Sequence, residues 1–231
     1  MQYIIVTHSG ELISSDTIEY VQRFALDNNR YSIVYSPSLS PSDKWLIKVL
    51  DNSRSTYALF GKAAIITEGE CDEYYFRAVL KELYPELARD IAVFNAGGKT
   101  SVPKWKDFLT VMGLKVYEIY DLDEVYNIIY TTETYLKLGP DGNGVANLAT
   151  FAASHPTLHT DIQFQYSNNI YILEYGTLEN YINLSTKAKL PELIHYCSQT
   201  NDLINFLSSK DCKALEIKNI MQLIKVDIIG L

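Results

Sequence analysis

Between residues 63 and 120 the chain repeats one pattern, a short apolar run followed by a longer amphipathic stretch. Ala63–Thr67, Ile91–Asn95 and Lys115–Tyr120 are the apolar runs, with Asp72–Tyr84 and Val102–Met112 between them, closed by Pro85 and Gly113. Short β-branched runs bounded by turn residues read as strands, and the 13- and 11-residue stretches read as helices. Strands alternating with helices dictate βαβ units, hence a parallel sheet flanked by helices and an α/β fold. Right-handed crossovers then bring the C-terminal ends of the strands to one edge, with Glu68, Gly97 and Asp121 along it.

Outside this segment the pattern is looser. Residues 3–7 read as a short buried strand, 11–27 as a helix, 31–35 as a strand and 45–50 as a short helix. The Pro/Ser stretch 36–41 and the polar stretch 51–56 place a domain boundary near residue 56. Residues 124–138 read as helical, 139–144 as a loop and 170–173 as a further strand, with two or three helices towards the C-terminus. The expected division is therefore 1–56 as an N-terminal connector segment, 57–185 as the α/β domain and 186–231 as a helical C-terminal extension. The three cysteines (Cys71, Cys197, Cys212) lack metal-type spacing and are an odd number, which argues against a zinc site or a disulfide scaffold. With no basic leader and no long apolar run, the expected compartment is the cytoplasm, with no membrane as a partner.

The strand ends carry acids. Glu68-Gly69-Glu70-Cys71-Asp72 follows the first run of the regular segment, and Asp121-Leu122-Asp123 follows the third. Gly69 permits the turn, and Asp72 falls in the first turn of its helix, where the dipole favours an anion. Side chains two apart on a strand share a face, so Asp121 and Asp123 are expected to point at one ion. Carboxylates suit hard divalent cations, and two such ions can support in-line displacement at a phosphate. Acids are also common at helix N-termini without any ligand. The two motifs in this order, on adjacent βα units, are what make the metal reading the sharper one.

These residues carry a family resemblance. Ala63-Ala64-Ile65-Ile66-Thr67-Glu68-Gly69, then Gly97-Gly98-Lys99, then Ile119-Tyr120-Asp121-Leu122-Asp123 resemble a TOPRIM domain. The preceding Tyr57-Ala58-Leu59-Phe60-Gly61-Lys62 and the Gly-Gly-Lys turn resemble the OLD (overcoming lysogenization defect) family of ATPase-coupled nucleases. The resemblance implies a metal-dependent DNA endonuclease, nicking or cutting both strands, with two Mg²⁺ or Mn²⁺ ions and a role in phage defence. It implies Glu68 and Asp72 for one ion, and Asp121, Asp123 and Glu179 for the other or for a bridge between them. A fifth acid, most consistent with Glu179 in Leu173-Glu174-Tyr175-Gly176-Thr177-Leu178-Glu179, completes the set. A lysine beyond it, Lys189 or Lys187 with Lys189 preferred, would offset developing phosphate charge. Glu68, Asp121, Asp123 and Lys189 are thus the expected catalytic residues.

The N-terminus adds a second likeness. Ile4-Ile5-Val6-Thr7-His8-Ser9 resembles the switch-histidine segment that ends the core of ABC-type ATPases, although Gly10 replaces the family's proline. The chain has no G-x-x-x-x-G-K-[ST] loop, so no ATP hydrolysis is expected of it. An ABC-type ATPase becomes the expected partner instead, with residues 1–56 as a remnant of such a domain.

A net charge of −8 ordinarily argues against nucleic acid. Two divalent ions in a five-carboxylate site would offset most of that local charge. Lys99, Lys104 and Lys106, in a stretch with two hydroxyls and no acid, are the expected DNA contacts. The alternative is a non-catalytic TOPRIM scaffold that binds DNA or a partner ATPase.

Overall fold

The computed structural model describes residues 4–7, 9–14, 16–27, 29–37, 54–132, 148–184, 190–198 and 201–230. Its centre is a four-stranded, all-parallel sheet in the order β4-β3-β5-β6. The strands are β3 (Ala63–Thr67), β4 (Ile91–Asn95), β5 (Lys115–Tyr120) and β6 (Ile170–Ile172). A separate antiparallel hairpin pairs β1 (Arg23–Leu26) with β2 (Ser32–Tyr35).

The sheet is buried on both faces because alternate side chains of each strand enter different cores. Ala64 and Ile66 of β3, Phe94 of β4 and Val116 of β5 join Trp105, Phe108 and Leu109 of helix α2 (Val102–Val111). Helices α4 (Leu148–Ser154) and α5 (Leu158–Gln165) add Phe151, Leu158 and Ile162 to that layer. Between α2 and α4, α3 (Val125–Ile128) continues the turn after β5. On the opposite face Ala63, Ile65, Val93, Tyr117 and Ile119 meet Tyr75, Phe76, Val79 and Leu80 of α1 (Glu70–Leu83). That second layer is thickened by α6 (Leu178–Ile182), α7 (Leu190–Ser198), α8 (Asp202–Ser208) and α9 (Cys212–Ile229). In α9 the row Ala214, Ile217, Met221, Ile224, Ile228 faces inward at helical spacing. Asp211 starts that helix by accepting the Lys213 N–H at 2.8 Å. The α/β class, the parallel sheet flanked by helices and the helical C-terminal region all match the expectation from sequence.

The N-terminal third departs from it. Residues 4–7 form no strand, and Ile4 and Val6 are 88% and 90% exposed. The stretch read as a helix over 11–27 forms two single 3₁₀ turns (Gly10–Leu12 and Ile18–Tyr20) and then β1. Its polar side chains compete with helical bonding: Thr17 Oγ1 donates to Leu12 O at 2.9 Å and accepts the Ser14 N–H at 2.8 Å. Asp27 Oδ1 then accepts the N–H groups of Asn29 and Tyr31, which closes the hairpin.

The hairpin caps the end of the sheet opposite the strand C-termini. Arg23 donates to the carbonyls of Leu59, Gly61, Met112 and Gly113 at 2.8–3.3 Å, all just ahead of β3 or β5. Gly113, at φ +74°, lies so close to the Tyr35 ring that a Cβ would come within 2.3 Å of it.

Two further differences lie near the site. Of the helix expected over 124–138, the described part forms a single turn, Val125–Ile128, and then a wider closure in which Tyr130 N–H reaches Val125 O at 2.7 Å; residues 133–138 lie outside the described residues. The Tyr130 ring then packs on Phe151 and His155. The short helix expected over 45–50 and the loop over 139–144 lie outside the described residues.

Candidate metal centre at the strand ends

The parallel register fixes the site. Thr67 lies opposite Asn95, and Ile66 opposite Glu118, so β3, β4 and β5 stop at neighbouring levels. Beyond those ends the backbone strands continue to bond: Ala96 N–H reaches Thr67 O at 2.8 Å and Gly98 N–H reaches Glu68 O at 2.9 Å. This second bond is made by the Gly97-Gly98 turn, whose φ angles of +75° and +120° favour glycine, most strongly at Gly98. The turn delivers Lys99 to the acids.

Glu68 leaves β3 into this edge. Its Oε1 is fully buried and has no hydrogen-bond partner. Burial, reinforced by Asp123 and Glu124, pushes its carboxyl up to about 7, against the opposing pull of Lys99. Asp72 occupies the third position of α1 and accepts the Gly69 N–H at 3.1 Å, tying the acid to the turn that starts its helix. Burial and the charge of Glu179 still push Asp72 up to about 6.

Asp121 faces the charge of all four other acids. Burial raises it well above the usual carboxylate range, and Asp72, Glu68, Asp123 and Glu179 each add to the shift. Four carboxylates therefore act on a fifth. Glu68, Asp72 and Asp121 line a common hollow with Phe76, Ile119, Tyr120 and Leu173. Its apolar walls explain why burial is the leading cause for all three.

Asp123 does not share a strand face with Asp121. β5 ends at Tyr120, Asp121 is still extended, and Leu122–Glu124 forms a 3₁₀ turn. The turn, not strand alternation, aims Asp123 into the site, and it brings Glu124 with it. Ligand oxygens of Glu68, Asp123 and Glu124 lie within 4.8 Å of one another. Lys99 Nζ sits on this group, 3.0 Å from Asp123 Oδ2 and 2.6 Å from Glu124 Oε1. Burial works against the Lys99 charge, but its hydrogen bonds to Glu124 and Asp123 outweigh this and raise its pKa.

Glu124 was missed in the sequence because helix-start acids are so common. The available signal was contiguity, three acids in the four residues 121–124 at a strand end.

Glu179 reaches the site from the far side of β5. It stands in the first turn of α6, after Gly176 at φ +112° and a Thr177 N–H bonded to Asn180 Oδ1 at 2.9 Å. Leu122 N–H bonds to Gly176 O at 3.2 Å, which joins this loop to the Asp121–Asp123 turn. Helix α9 holds the loop from behind. Glu216 accepts the Glu174 N–H at 2.9 Å and the Tyr181 hydroxyl, and Lys213 donates to Asn180 O.

The lysines divide. Lys99 is at the acids. Lys104 is exposed on the first turn of α2. Lys106 turns inward, 2.5 Å from Oε1 of the buried Glu118, whose Oε2 accepts the Tyr120 hydroxyl at 2.6 Å. Lys187, Lys189 and His8 lie outside the described residues. Of the remaining histidines, His155 packs with Phe151 and Tyr130, and His159 pairs with Glu174 at 2.7 Å.

The donors are all carboxylate oxygens, one of them buried and unsatisfied. Such a set fits a hard divalent cation and gives no purchase to a soft one. Among the described residues no helix is long and apolar enough to cross a membrane.

No curated protein matches the chain in sequence. Among solved structures it is similar to the C-terminal region of the Xanthomonas campestris pv. campestris OLD protein, at 13% identity and a TM-score of 0.37. That likeness covers 74% of this chain and 95% of the other, and a score so low adds no weight. The family match is local and specific: residues 59–123 correspond to the overcoming lysogenization defect protein-like TOPRIM domain. This span begins ahead of β3 and ends on Asp123, so it contains Glu68, Asp72, Lys99 and Asp121 in their sequence order. The chain's similarity to the OLD-like TOPRIM domain family is thus carried by residues 59–123.

Proposed function

We propose that the chain is a divalent-metal-dependent DNA endonuclease, working in phage defence downstream of an ABC-type ATPase. The observation that carries this reading is the orphaned Oε1 of Glu68, buried among carboxylates whose mutual repulsion a bound divalent cation would relieve. Glu68, Asp123 and Glu124 would hold one ion, and Asp72, Asp121 and Glu179 a second. Bound Mg²⁺ or Mn²⁺ would offset charge on both oxygens of an in-line phosphodiester displacement.

The protein's own part is placement. The Gly97-Gly98 turn sets Lys99 at the mouth of the site, and Lys104 stands outward on the same helix start, where both can meet a DNA backbone. Lys106 is given to Glu118 in the folded chain, so its contribution to DNA contact is the weakest of the three. The apolar wall of Phe76, Ile119 and Leu173 limits water around the acids. Support for the ATPase partner is the exposed Ile4-Ile5-Val6 run before Thr7, a β-branched segment left uncovered. The defence role rests on the family resemblance alone.

Plasmid nicking tests the reading. Supercoiled DNA should be converted to open-circular or linear form with Mg²⁺ or Mn²⁺, not with EDTA, and Asp121→Ala should lower the rate by at least about 10³-fold. Metal binding without any DNA cleavage would favour the scaffold alternative.

A further inference from the structure

We infer that Lys99 is a built-in cation for the Glu68–Asp123–Glu124 position, and that a divalent ion enters by displacing it. This rests on the metal-site reading above and adds two things to it, Glu124 as a ligand and the exchange with Lys99.

Three observations carry the exchange. Glu68, Asp123 and Glu124 bring ligand oxygens within 4.8 Å of one another, close enough to share one small cation. The Lys99 ammonium already bridges two of those three, at 3.0 Å to Asp123 and 2.6 Å to Glu124. The third, Glu68, is left with a buried oxygen that the ammonium does not reach within hydrogen-bond distance. One ammonium therefore satisfies part of the group and leaves the buried Oε1 of Glu68 unsatisfied.

A divalent ion does better on charge and on geometry. It offers twice the charge at shorter distances and can take an oxygen from each of the three acids. It cannot share the position with the ammonium, because like charges at such separation repel strongly in a partly buried site. Lys99 hangs on the Gly97-Gly98 turn, where a Cβ at either glycine would meet nothing within 4 Å. The Lys99 side chain is itself 38% exposed, so it can swing out into solvent, where a DNA phosphate could meet it. Metal loading and phosphate capture would then be one event: the ion takes the acids, and the released ammonium takes the backbone.

The test is Mn²⁺ binding by residues 1–231, followed by electron paramagnetic resonance of free Mn²⁺. Lys99→Met should tighten binding by about tenfold or more, since it removes the competitor. Glu124→Gln should weaken it by a similar factor. Lys81→Met, which removes an exposed charge from the last turn of α1, at the other end of the helix from Asp72, should change it less than about twofold. Lys99→Gln serves the same comparison if the Met variant melts anomalously. A second reading, on the Mg²⁺ form, is the ammonium resonance assigned to Lys99 by its loss in the variant. It should move to the position of a solvated lysine when Mg²⁺ saturates the site.

Unchanged or weaker Mn²⁺ binding in Lys99→Met, or an unmoved Lys99 resonance, overturns the exchange while leaving the metal site standing. Equal tightening in Lys81→Met reduces the effect to general charge and overturns it as well. Unchanged binding in Glu124→Gln removes that residue from the ligand set. No Mn²⁺ uptake by the unmodified chain overturns both this inference and the function on which it rests.

Discussion

At the scale of single residues the site is an arrangement that works against the stability of the chain that builds it. Glu68 and Asp72 are pushed up to about 7 and about 6, chiefly by burial. Raised carboxylate pKa values mean that the folded chain holds protons the unfolded chain has already lost. Their stabilising contribution is complete below the unfolded values near pH 4 and disappears as pH rises through about 6 and then about 7. Metal-free protein in EDTA should therefore melt at progressively lower temperature from about pH 5 to about pH 8, and saturating Mg²⁺ should abolish the trend. A flat or rising profile in EDTA would show that these carboxyls are not perturbed in this direction. Most of the residues were legible beforehand, since Glu68, Asp72 and Asp121 follow from acids at strand ends. Glu124 was not, because only the 3₁₀ turn at Leu122–Glu124 rotates it towards Glu68 and Lys99. A strand reading of 121–123 has no place for it.

At the scale of elements the regular segment was readable because each strand is buried on both faces and each helix has a single apolar stripe. The N-terminal segment misled for a physical reason. Leu12, Ile18, Val21 and Leu26 approximate helical spacing, but Ser14 and Thr17 satisfy local backbone groups and leave the helix without its hydrogen bonds. Helices α4 and α5 were not anticipated, since in α5 only Leu158 and Ile162 are buried, too thin a stripe to declare itself. What joins the hairpin to the sheet is one side chain. Arg23 bonds to four carbonyls at the N-terminal ends of β3 and β5, and burial lowers its pKa without removing its charge. Truncating it leaves those partly buried carbonyls without their donor. Arg23→Ala should cost about 2–4 kcal/mol in urea unfolding. Because the hairpin lies at the opposite end of the strands, the affinity for Mn²⁺ should stay within about twofold of the unmodified chain. A loss below about 0.5 kcal/mol would mean that water replaces these bonds at little cost.

At the scale of the whole molecule the two apolar layers have different duties. The α2, α4 and α5 layer completes the domain, while α9 reaches the site indirectly, through Glu216 and Lys213 on the loop that carries Glu179. The C-terminal region thus holds the fifth acid against the other four. The central claim is that these acids converge in order to hold divalent cations, and one melting series tests it most directly. In EDTA, Asp121→Asn should melt at or above the unmodified chain, because it removes a buried carboxylate repelled by four others. With millimolar Mg²⁺ or Mn²⁺ the unmodified chain should gain several degrees and Asp121→Asn little or nothing. An unmodified chain whose melting temperature ignores both ions, or a variant that gains as much as its parent, would contradict the account.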